Sequence, residues 1–422
     1  MEYSSMSKAE LSALHSALSA EYNEYKNRGL SLDLSRGKPN REQLELSNEL
    51  LVSAPTEVYY KDEGGFDCRN YGIADGLAEM KRIFSEILDI PTKNIIIGGN
   101  SSLNMMFDNI ARLMLKGTGG HEPWVKQGNV KFICPAPGYD RHFSVLETLG
   151  IELLTVEMLD DGPDMDAVEK LAKDPLVKGL ICVPKYSNPT GITFSEKCIR
   201  RLASMETAPD FRIVWDNAYG IHDFTNEPDV LPDVFKIAAE YGNEDRFLYY
   251  TSTSKITFPG SGIALVAASD ANIAEIRAYM SMQTIGYDKL NQLRHAKYMK
   301  DKATVTKIMA KHADIIRPRF ELCGKILHAE LDGLGIADWY DPNGGYFISL
   351  NVSDGCAKRV WNLMKECGVA MTGAGSTYPY KNDPRDRNLR LAPTYTTLED
   401  LETTLHVLAC CVKLAAVEKL LA

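Results

Sequence analysis

Short apolar runs alternate with helix-length segments through the middle of the chain. The apolar runs are four to six residues long, as expected of buried strands, and helical periodicity fills most gaps between them, for example at 77–88 and 103–115. Because strands that alternate with helices build a mostly parallel sheet covered on both faces, we predict an α/β fold. The predicted sheet has seven strands, at 94–97, 130–134, 151–156, 179–183, 212–215, 247–250 and 263–268.

The pattern changes after residue 288. A polar helical stretch at 290–312 continues as a second long helix to residue 331, and strands are predicted at 345–350 and 388–392 around a helix at 357–367. The last helix carries one apolar stripe, and an amphipathic helix at the N-terminus, opened by a capping box, is expected to pack in the same region. We therefore predict three segments: 1–55 as the N-terminal part of a small α/β domain, 56–290 as the large domain, and 291–422 as the connecting helix and the rest of the small domain.

Composition narrows the class of protein. The chain has 422 residues, of which 45% are hydrophobic and 25% charged, as in ordinary globular proteins. A net charge of −10 argues against a nucleic-acid surface, and no run of about 18 apolar residues predicts a membrane helix. Nine scattered cysteines without a C-x-x-C pair suit reduced thiols, and the N-terminus does not resemble a signal peptide. We predict a cytoplasmic protein with neither a metal site nor a nucleic-acid or membrane partner.

Lys255 is the first candidate for chemistry. It ends the segment T-S-T-S-K, which follows the apolar run 247–250 and precedes another at 263–268. Desolvation at the mouth of a buried strand lowers the pKa of a lysine and makes its amine a nucleophile able to form a Schiff base with a carbonyl. An ordinary surface lysine is the alternative, so the assignment depends on partners for an aldehyde cofactor elsewhere in the chain.

A second candidate is the segment 98–102, G-G-N-S-S, which joins a strand to a helix. Its glycines allow close approach of a ligand, and the helix N-terminus with two serine hydroxyls would form a phosphate cradle. A simple capping turn is the alternative. The loop is not a Walker sequence, and no G-x-G-x-x-G opens a helix.

Three polar residues lie at the end of an apolar strand, in the turn after one, or within one. Asp216 follows a buried strand and needs a cation, for which a protonated pyridine nitrogen is suitable, with Tyr219 able to reach a ring oxygen. Asn188, in a turn after another strand, faces the crevice where parallel sheets bind ligands. Arg390 lies in an apolar strand and needs a carboxylate or phosphate. A capping aspartate, a plain turn and a structural salt bridge are the respective alternatives.

These motifs together resemble one family. Asn188 in S-N-P-T-G, Asp216 in D-x-A-Y, Lys255 after S-T-S and Arg390 in L-R-L-A-P follow the order found in the aminotransferase class I/II family, fold type I enzymes that depend on pyridoxal 5'-phosphate (PLP). The resemblance extends from Arg36 to Pro393. Segments 35–39, 135–141 and 291–295 are similar to the divergent bacterial aspartate aminotransferase branch.

The resemblance implies roles for the four motif residues and for Tyr219. Lys255 would hold the cofactor as a Schiff base and then move a proton between the substrate Cα and C4′ of the cofactor. Asp216 would keep the pyridine nitrogen protonated, while Asn188 and Tyr219 would bind the phenolic oxygen. Arg390 would bind the substrate α-carboxylate.

The resemblance also implies further cofactor and substrate contacts. Tyr139 would stack on the pyridine face, and Gly37 would close over the substrate. Tyr71 would reach the phosphate bound by a neighbouring subunit, which implies a homodimer with shared active sites. Phosphate contacts are expected from three serines: Ser101, Ser102 and Ser252.

Two features depart from the family pattern. Many members carry a phosphate-binding arginine eight positions past the lysine, where this chain has Ile263. The cation for a substrate side-chain carboxylate, which dicarboxylate-specific members take from the partner chain, is not identified by any motif. Five candidates remain open: Arg36, Lys38, Arg141, Lys289 and Arg294.

The sequence therefore predicts an aspartate aminotransferase that exchanges an amino group between L-aspartate and 2-oxoglutarate in a ping-pong cycle. Another PLP-dependent aminotransferase or a lyase is one alternative. A ligand-sensing regulator of the MocR type is another, although the acidic chain has only one helix's length before Arg36.

Overall fold

The computed structural model describes residues 2–52 and 59–422, so the predicted boundary between residues 55 and 56 lies outside the described residues. The strands are β1 (Leu32–Asp33), β2 (Ile95–Ile97), β3 (Lys131–Ala136), β4 (Glu152–Leu159), β5 (Gly162–Pro163), β6 (Val177–Cys182), β7 (Arg212–Asp216), β8 (Phe247–Ser252), β9 (Ala264–Ala268), β10 (Ala337–Trp339), β11 (Ile348–Val352), β12 (Val369–Ala370) and β13 (Asn388–Leu391). The α-helices are α1 (Lys8–Asn27), α2 (Arg41–Glu45), α3 (Ala78–Leu88), α4 (Ser102–Lys116), α5 (Asp140–Thr148), α6 (Met165–Ala172), α7 (Glu196–Ser204), α8 (Val234–Ala239), α9 (Asp270–Gln283), α10 (Lys289–Met299), α11 (Lys302–Leu331), α12 (Ala357–Glu366) and α13 (Leu398–Leu421).

An eight-stranded sheet organises the larger part of the described chain. Its order is β2-β9-β8-β7-β6-β3-β4-β5, and the five central strands from β8 to β4 run parallel. The predicted α/β fold with a mostly parallel sheet is confirmed. The sheet has one strand more than the seven predicted, because β5 is a two-residue strand antiparallel to the end of β4. Such a short strand has no hydrophobic periodicity to indicate it.

Four of the five central strands, β3, β6, β7 and β8, are buried on both faces. Every residue of β7 is buried, and successive side chains point to opposite faces, with Val214 in one hydrophobic cluster and Trp215 in another. Complete burial stabilises each large apolar side chain by roughly 1.5–3 kcal/mol relative to exposure. This explains why these four strands read as largely apolar runs.

A separate hydrophobic cluster joins the two ends of the chain. Leu11 and Leu18 of α1 pack with Leu401 and Leu405 of α13, together with α12 and the three-stranded sheet β10-β11-β13. The same cluster includes Tyr219, which belongs in sequence to the large sheet region. The two parts of the molecule therefore meet beside Tyr219. The division into segments 1–55, 56–290 and 291–422 stays a prediction.

Three observations on the described residues concern membrane spans, metal sites and cysteines. None of their helices is long and apolar enough to cross a membrane. They contain no group of three or more His, Cys, Asp or Glu side chains that could hold a metal ion. All nine cysteines are free thiols, and all are buried.

Candidate active site

A cavity of about 380 Å³ opens where the parallel strands end. Because the carboxyl ends of parallel strands meet at one edge of a sheet, residues that follow β6, β7 and β8 converge there. Ten of the eleven site residues proposed from the sequence line this cavity: Gly37, Ser101, Ser102, Tyr139, Asn188, Asp216, Tyr219, Ser252, Lys255 and Arg390. Tyr71 is not among its lining residues.

Lys255 presents its amine to the cavity beside two aromatic rings. Nζ lies 4.9 Å from the ring centroid of Tyr219 and 5.7 Å from that of Tyr346. The side chain keeps some accessible surface, but protein atoms crowd the amine, and this desolvation lowers the pKa of Lys255 below its ordinary value. The negative charge of Asp216 opposes the shift without cancelling it. A lowered pKa leaves more of the amine neutral and able to attack a carbonyl carbon.

The backbone that carries Lys255 is fixed by two histidines that the sequence analysis did not single out as site residues. His312 of α11 donates from Nε2 to the carbonyl oxygen of Ile256 at 2.9 Å, and its Nδ1 accepts from Gln43 at 3.1 Å. His295 of α10 lies 2.9 Å from Oγ1 of Thr257. Burial lowers the pKa of both histidines, which favours the neutral tautomers that these contacts require.

Asp216 is buried and has one occupied and one free carboxylate oxygen. Its Oδ2 accepts from Nε2 of His142 at 2.9 Å, and both side chains are buried. Its Oδ1 has no hydrogen-bond partner among the described residues. The ring of Tyr139 meets the His142 ring edge-on, with 4.9 Å between centroids. A buried oxygen without a partner is costly, so this atom is suited to a ligand that brings a proton.

Arg390 is held by contacts on several sides. Nη1 donates to Oδ1 of Asp140 at 2.9 Å and approaches Oδ1 of Asn188 at 3.4 Å, while Nη2 donates to Thr372 at 3.1 Å. The guanidinium carbon lies 4.9 Å from the ring centroid of Phe347, and Nε has no partner among the described residues. The structural salt bridge that the sequence left open is therefore present, with Asp140 as partner. Part of the guanidinium remains free for a ligand.

The tight packing at Gly37 requires a glycine. A Cβ atom at this position would lie 2.0 Å from Cζ of Phe347, well inside van der Waals contact. The same ring packs on Arg390, so Gly37, Phe347 and Arg390 form three successive layers beside the cavity. This explains why the backbone approaches the site so closely here.

Hydroxyl groups gather at the N-terminus of α4. Ser101 is the N-cap residue, but its side chain makes no capping hydrogen bond, and Ser102 begins the helix. Oγ of Ser252 donates to Oγ of Ser254 at 2.9 Å, and all four serines line the cavity. Free backbone N–H groups and hydroxyls at a helix N-terminus are typical of phosphate sites. Ile263 is buried in an apolar cluster and offers no charge there.

The five candidate cations lie in different surroundings. Arg141 lines the cavity, and the other four are not among its lining residues. Arg36 pairs with Asp33 at 3.0 Å, and Nζ of Lys38 lies 3.9 Å from the ring centroid of Tyr395. Only one of the five therefore reaches this site within the described chain.

Residues 6–422, nearly the whole chain, match the protein-family model described as aspartate amino-transferase. The chain belongs to this aspartate aminotransferase family. It is 46% identical over 407 residues to the aspartate aminotransferase of Corynebacterium glutamicum, covering 96% of this chain and 94% of the other. It is 47% identical to a putative aminotransferase of Mycolicibacterium smegmatis, covering 100% of this chain and 99% of the other.

Its structure leads to the same family. A crystal structure of a C. glutamicum aspartate transaminase superposes with a TM-score of 0.97 at 44% identity, covering 99% of each chain. The chain is thus an aminotransferase of the fold type I, PLP-dependent class, in the bacterial aspartate aminotransferase branch. The predicted class of enzyme is confirmed.

The cavity of this aminotransferase fits the cofactor of its class. The desolvated amine is suited to the aldehyde of PLP, and the buried carboxylate oxygen without a partner is suited to its ring nitrogen. The hydroxyls at the helix N-terminus are suited to its phosphate. Four further cavity or contact residues carry no motif that predicts them as site residues: Asp140, His142, Ser254 and Phe347. Asp140 directly follows Tyr139 and His142 lies three positions after it, so their closeness to a candidate residue was the available signal.

Proposed function

We propose that this aminotransferase exchanges the amino group of L-aspartate with 2-oxoglutarate in two half-reactions of a ping-pong cycle. The observation that carries the proposal is the meeting of Lys255, Asp216 and Arg390 in one cavity. The substrate class is supported by the C. glutamicum relative, which is named an aspartate aminotransferase.

The cofactor, once bound, would take up the electrons left when the substrate Cα loses its proton. Lys255 would hold the cofactor through its amine and then carry that proton between Cα and C4′. Asp216, oriented by His142, would keep a proton on the pyridine nitrogen through its free Oδ1. Burial raises the pKa of Tyr219 well above its ordinary value, so its hydroxyl would remain protonated and donate to the phenolic oxygen beside Asn188.

The remaining contacts position the two ligands. Arg390 would bind the α-carboxylate with the part of its guanidinium that Asp140 leaves free, and Gly37 would close over the substrate. Tyr139 would cover the face of the ring. The phosphate would rest on Ser101, Ser102 and Ser252 at the N-terminus of α4.

A homodimer with shared active sites is part of the proposal. Tyr71 is 77% exposed, which leaves its hydroxyl available to a neighbouring subunit. Ile285 is 64% exposed, and the loops that carry these two residues touch, since a Cβ at Gly286 would lie 3.0 Å from the carbonyl oxygen of Gly72. An exposed apolar pair of this kind favours a contact surface. The nine free thiols favour a reducing compartment such as the cytoplasm.

The visible spectrum of the purified protein tests the cofactor part. A visible absorption band that changes when aspartate is added is expected, and Lys255→Ala should lose the band. An unchanged band in that variant would refute the assignment of the lysine.

Amino-donor preference tests the substrate part. Aspartate should be turned over with 2-oxoglutarate far faster than alanine or tyrosine. If aspartate were no better than those two, the proposed specificity would be wrong while the cofactor assignment would stand.

A further inference from the structure

Among the described residues that line the cavity, Arg141 is the one charged residue without a role in the site described above. Its side chain is exposed and lines the cavity. Among the described residues it makes no hydrogen bond and no ion pair. A guanidinium left without a partner at the edge of a ligand cavity is suited to an anionic ligand group.

The other charged residues of the cavity already have partners or assigned roles. Arg390 pairs with Asp140, and Asp216 pairs with His142. Lys255 has the cofactor as its proposed partner. Arg141 is therefore the cation that remains for a further negative group.

The position of Arg141 places it on the substrate side of the cavity. It is the second residue of α5 and directly follows Asp140, whose carboxylate contacts Arg390. Adjacent Cα atoms are about 3.8 Å apart, so the backbone of Arg141 lies close to the Arg390 ion pair. The phosphate serines are carried by α4 and β8 and the loop after it instead.

The local sequence is also unfavourable for α5 itself. A positive side chain in the first turn of a helix opposes the helix dipole, which is unfavourable for the helix. Residues that break a local stability rule are expected where a site requires them. The helix gains nothing from Arg141, whereas an anion placed between Arg141 and the helix N-terminus would be stabilised by both.

We propose that Arg141 binds the distal carboxylate of the dicarboxylate substrates. The proposal rests on the proposed function and deepens it by naming the residue that selects the substrate. A substrate with two carboxylates needs two cations, and Arg390 supplies the one for the α-carboxylate. The exposed, flexible side chain of Arg141 can follow the extra methylene of 2-oxoglutarate relative to aspartate.

Arg141→Gln tests the proposal through the ratio of two substrates. The kcat/KM for aspartate should fall about 100-fold, the range expected for loss of a bidentate charged contact, while that for alanine should change by less than about two-fold. Inhibition by maleate, a dicarboxylate without an amino group, should weaken to a similar extent. Arg141→Lys keeps the charge but not the bidentate geometry of the guanidinium, so its kcat/KM for aspartate should lie between those of the wild type and Arg141→Gln.

Arg200→Gln is the matched control, because Arg200 is a surface arginine on α7 paired with Glu196 and Glu240, remote from the cavity lining. It should leave the ratio of aspartate to alanine unchanged. Cofactor retention during dialysis, followed by absorbance, should be the same in Arg141→Gln as in the wild type.

Three results would overturn the assignment. Equal losses for aspartate and alanine together with faster cofactor release would place Arg141 at the phosphate. An intact aspartate preference in Arg141→Gln would show that another cation, such as one from a partner subunit, binds the distal carboxylate. A wild-type protein without any dicarboxylate preference would overturn the proposed function and this inference together, whereas the first two results overturn this inference alone.

Discussion

Arg390 and Asp140 form an ion pair inside the candidate active site, with 2.9 Å between Nη1 and Oδ1. Thr372 and the ring of Phe347 hold the same guanidinium from other directions. Removing Asp140 would therefore leave Arg390 in place. Under the proposed function, a substrate carboxylate that approached Arg390 would have to compete with a carboxylate from the protein.

The first prediction concerns that competition. Asp140→Asn should lower the KM for aspartate and for alanine alike by about five-fold, since a partly exposed ion pair contributes up to about 1 kcal/mol. The kcat should change little, because Arg390 keeps its other contacts. Steady-state kinetics with both donors provides the measurement, and a higher KM would show that Asp140 positions Arg390 instead.

A second prediction concerns the glycine next to Phe347. Gly37→Ala places a methyl group 2.0 Å from Cζ of the Phe347 ring, so the ring must move away from Arg390. The free energy of unfolding should fall by about 1–3 kcal/mol, as for other overpacked sites, and kcat/KM should fall about ten-fold or more.

Phe347→Leu provides the control for this steric reading. In the Gly37→Ala background it makes room for the methyl group and should recover part of the lost stability, so the two substitutions should not be additive. Additive losses would mean that residue 37 acts through something other than contact with the ring.

The buried pair of His142 and Asp216 leads to a third prediction. His142→Ala leaves a buried carboxylate without its partner, at a cost of roughly 1–3 kcal/mol or more. Cofactor release should become faster and kcat should fall about ten-fold for every substrate. His142→Gln, whose amide can donate in place of Nε2, should recover most of both properties, and equal defects in the two variants would exclude a role for that hydrogen bond.

A fourth prediction follows from the lowered pKa of Lys255 in the cofactor-free protein. Below that pKa the amine is charged in both states, and only the folded state bears the desolvation cost. As the pH rises towards about 10.4, the folded protein loses this proton before the unfolded chain does, so the cost fades. The free energy of unfolding of Lys255→Met should therefore exceed that of the wild type by about 1 kcal/mol in acidic solution and by less in alkaline solution. Denaturant titration at several pH values provides the measurement. An advantage that grows with pH would contradict the assigned direction.

The parts of the fold and site that the sequence predicted share one physical cause. Buried strands require continuous apolar residues, and a charged residue at the end of such a run, such as Asp216, stands out. Parallel strands then bring their ends to one edge, which is why Asn188, Asp216 and Lys255 line the same cavity although long segments separate them.

The parts that the sequence did not predict depend on tertiary packing. The closeness of His142 to Tyr139 in sequence does not show that its ring reaches Asp216, because that contact depends on where α5 packs against the sheet. The contact between Phe347 and Gly37 likewise joins segments from opposite ends of the chain. The two-residue strand β5 is too short to leave a periodic signal.

The layered arrangement of Gly37, Phe347 and Arg390 has a consequence for biosynthesis. Gly37 leaves the ribosome long before Arg390, yet both line one cavity. A nascent chain can complete the large sheet before the Arg390 side of the cavity exists. Chains that terminate before β13 lack Arg390 and its side of the cavity, so under the proposed function they should not carry out transamination.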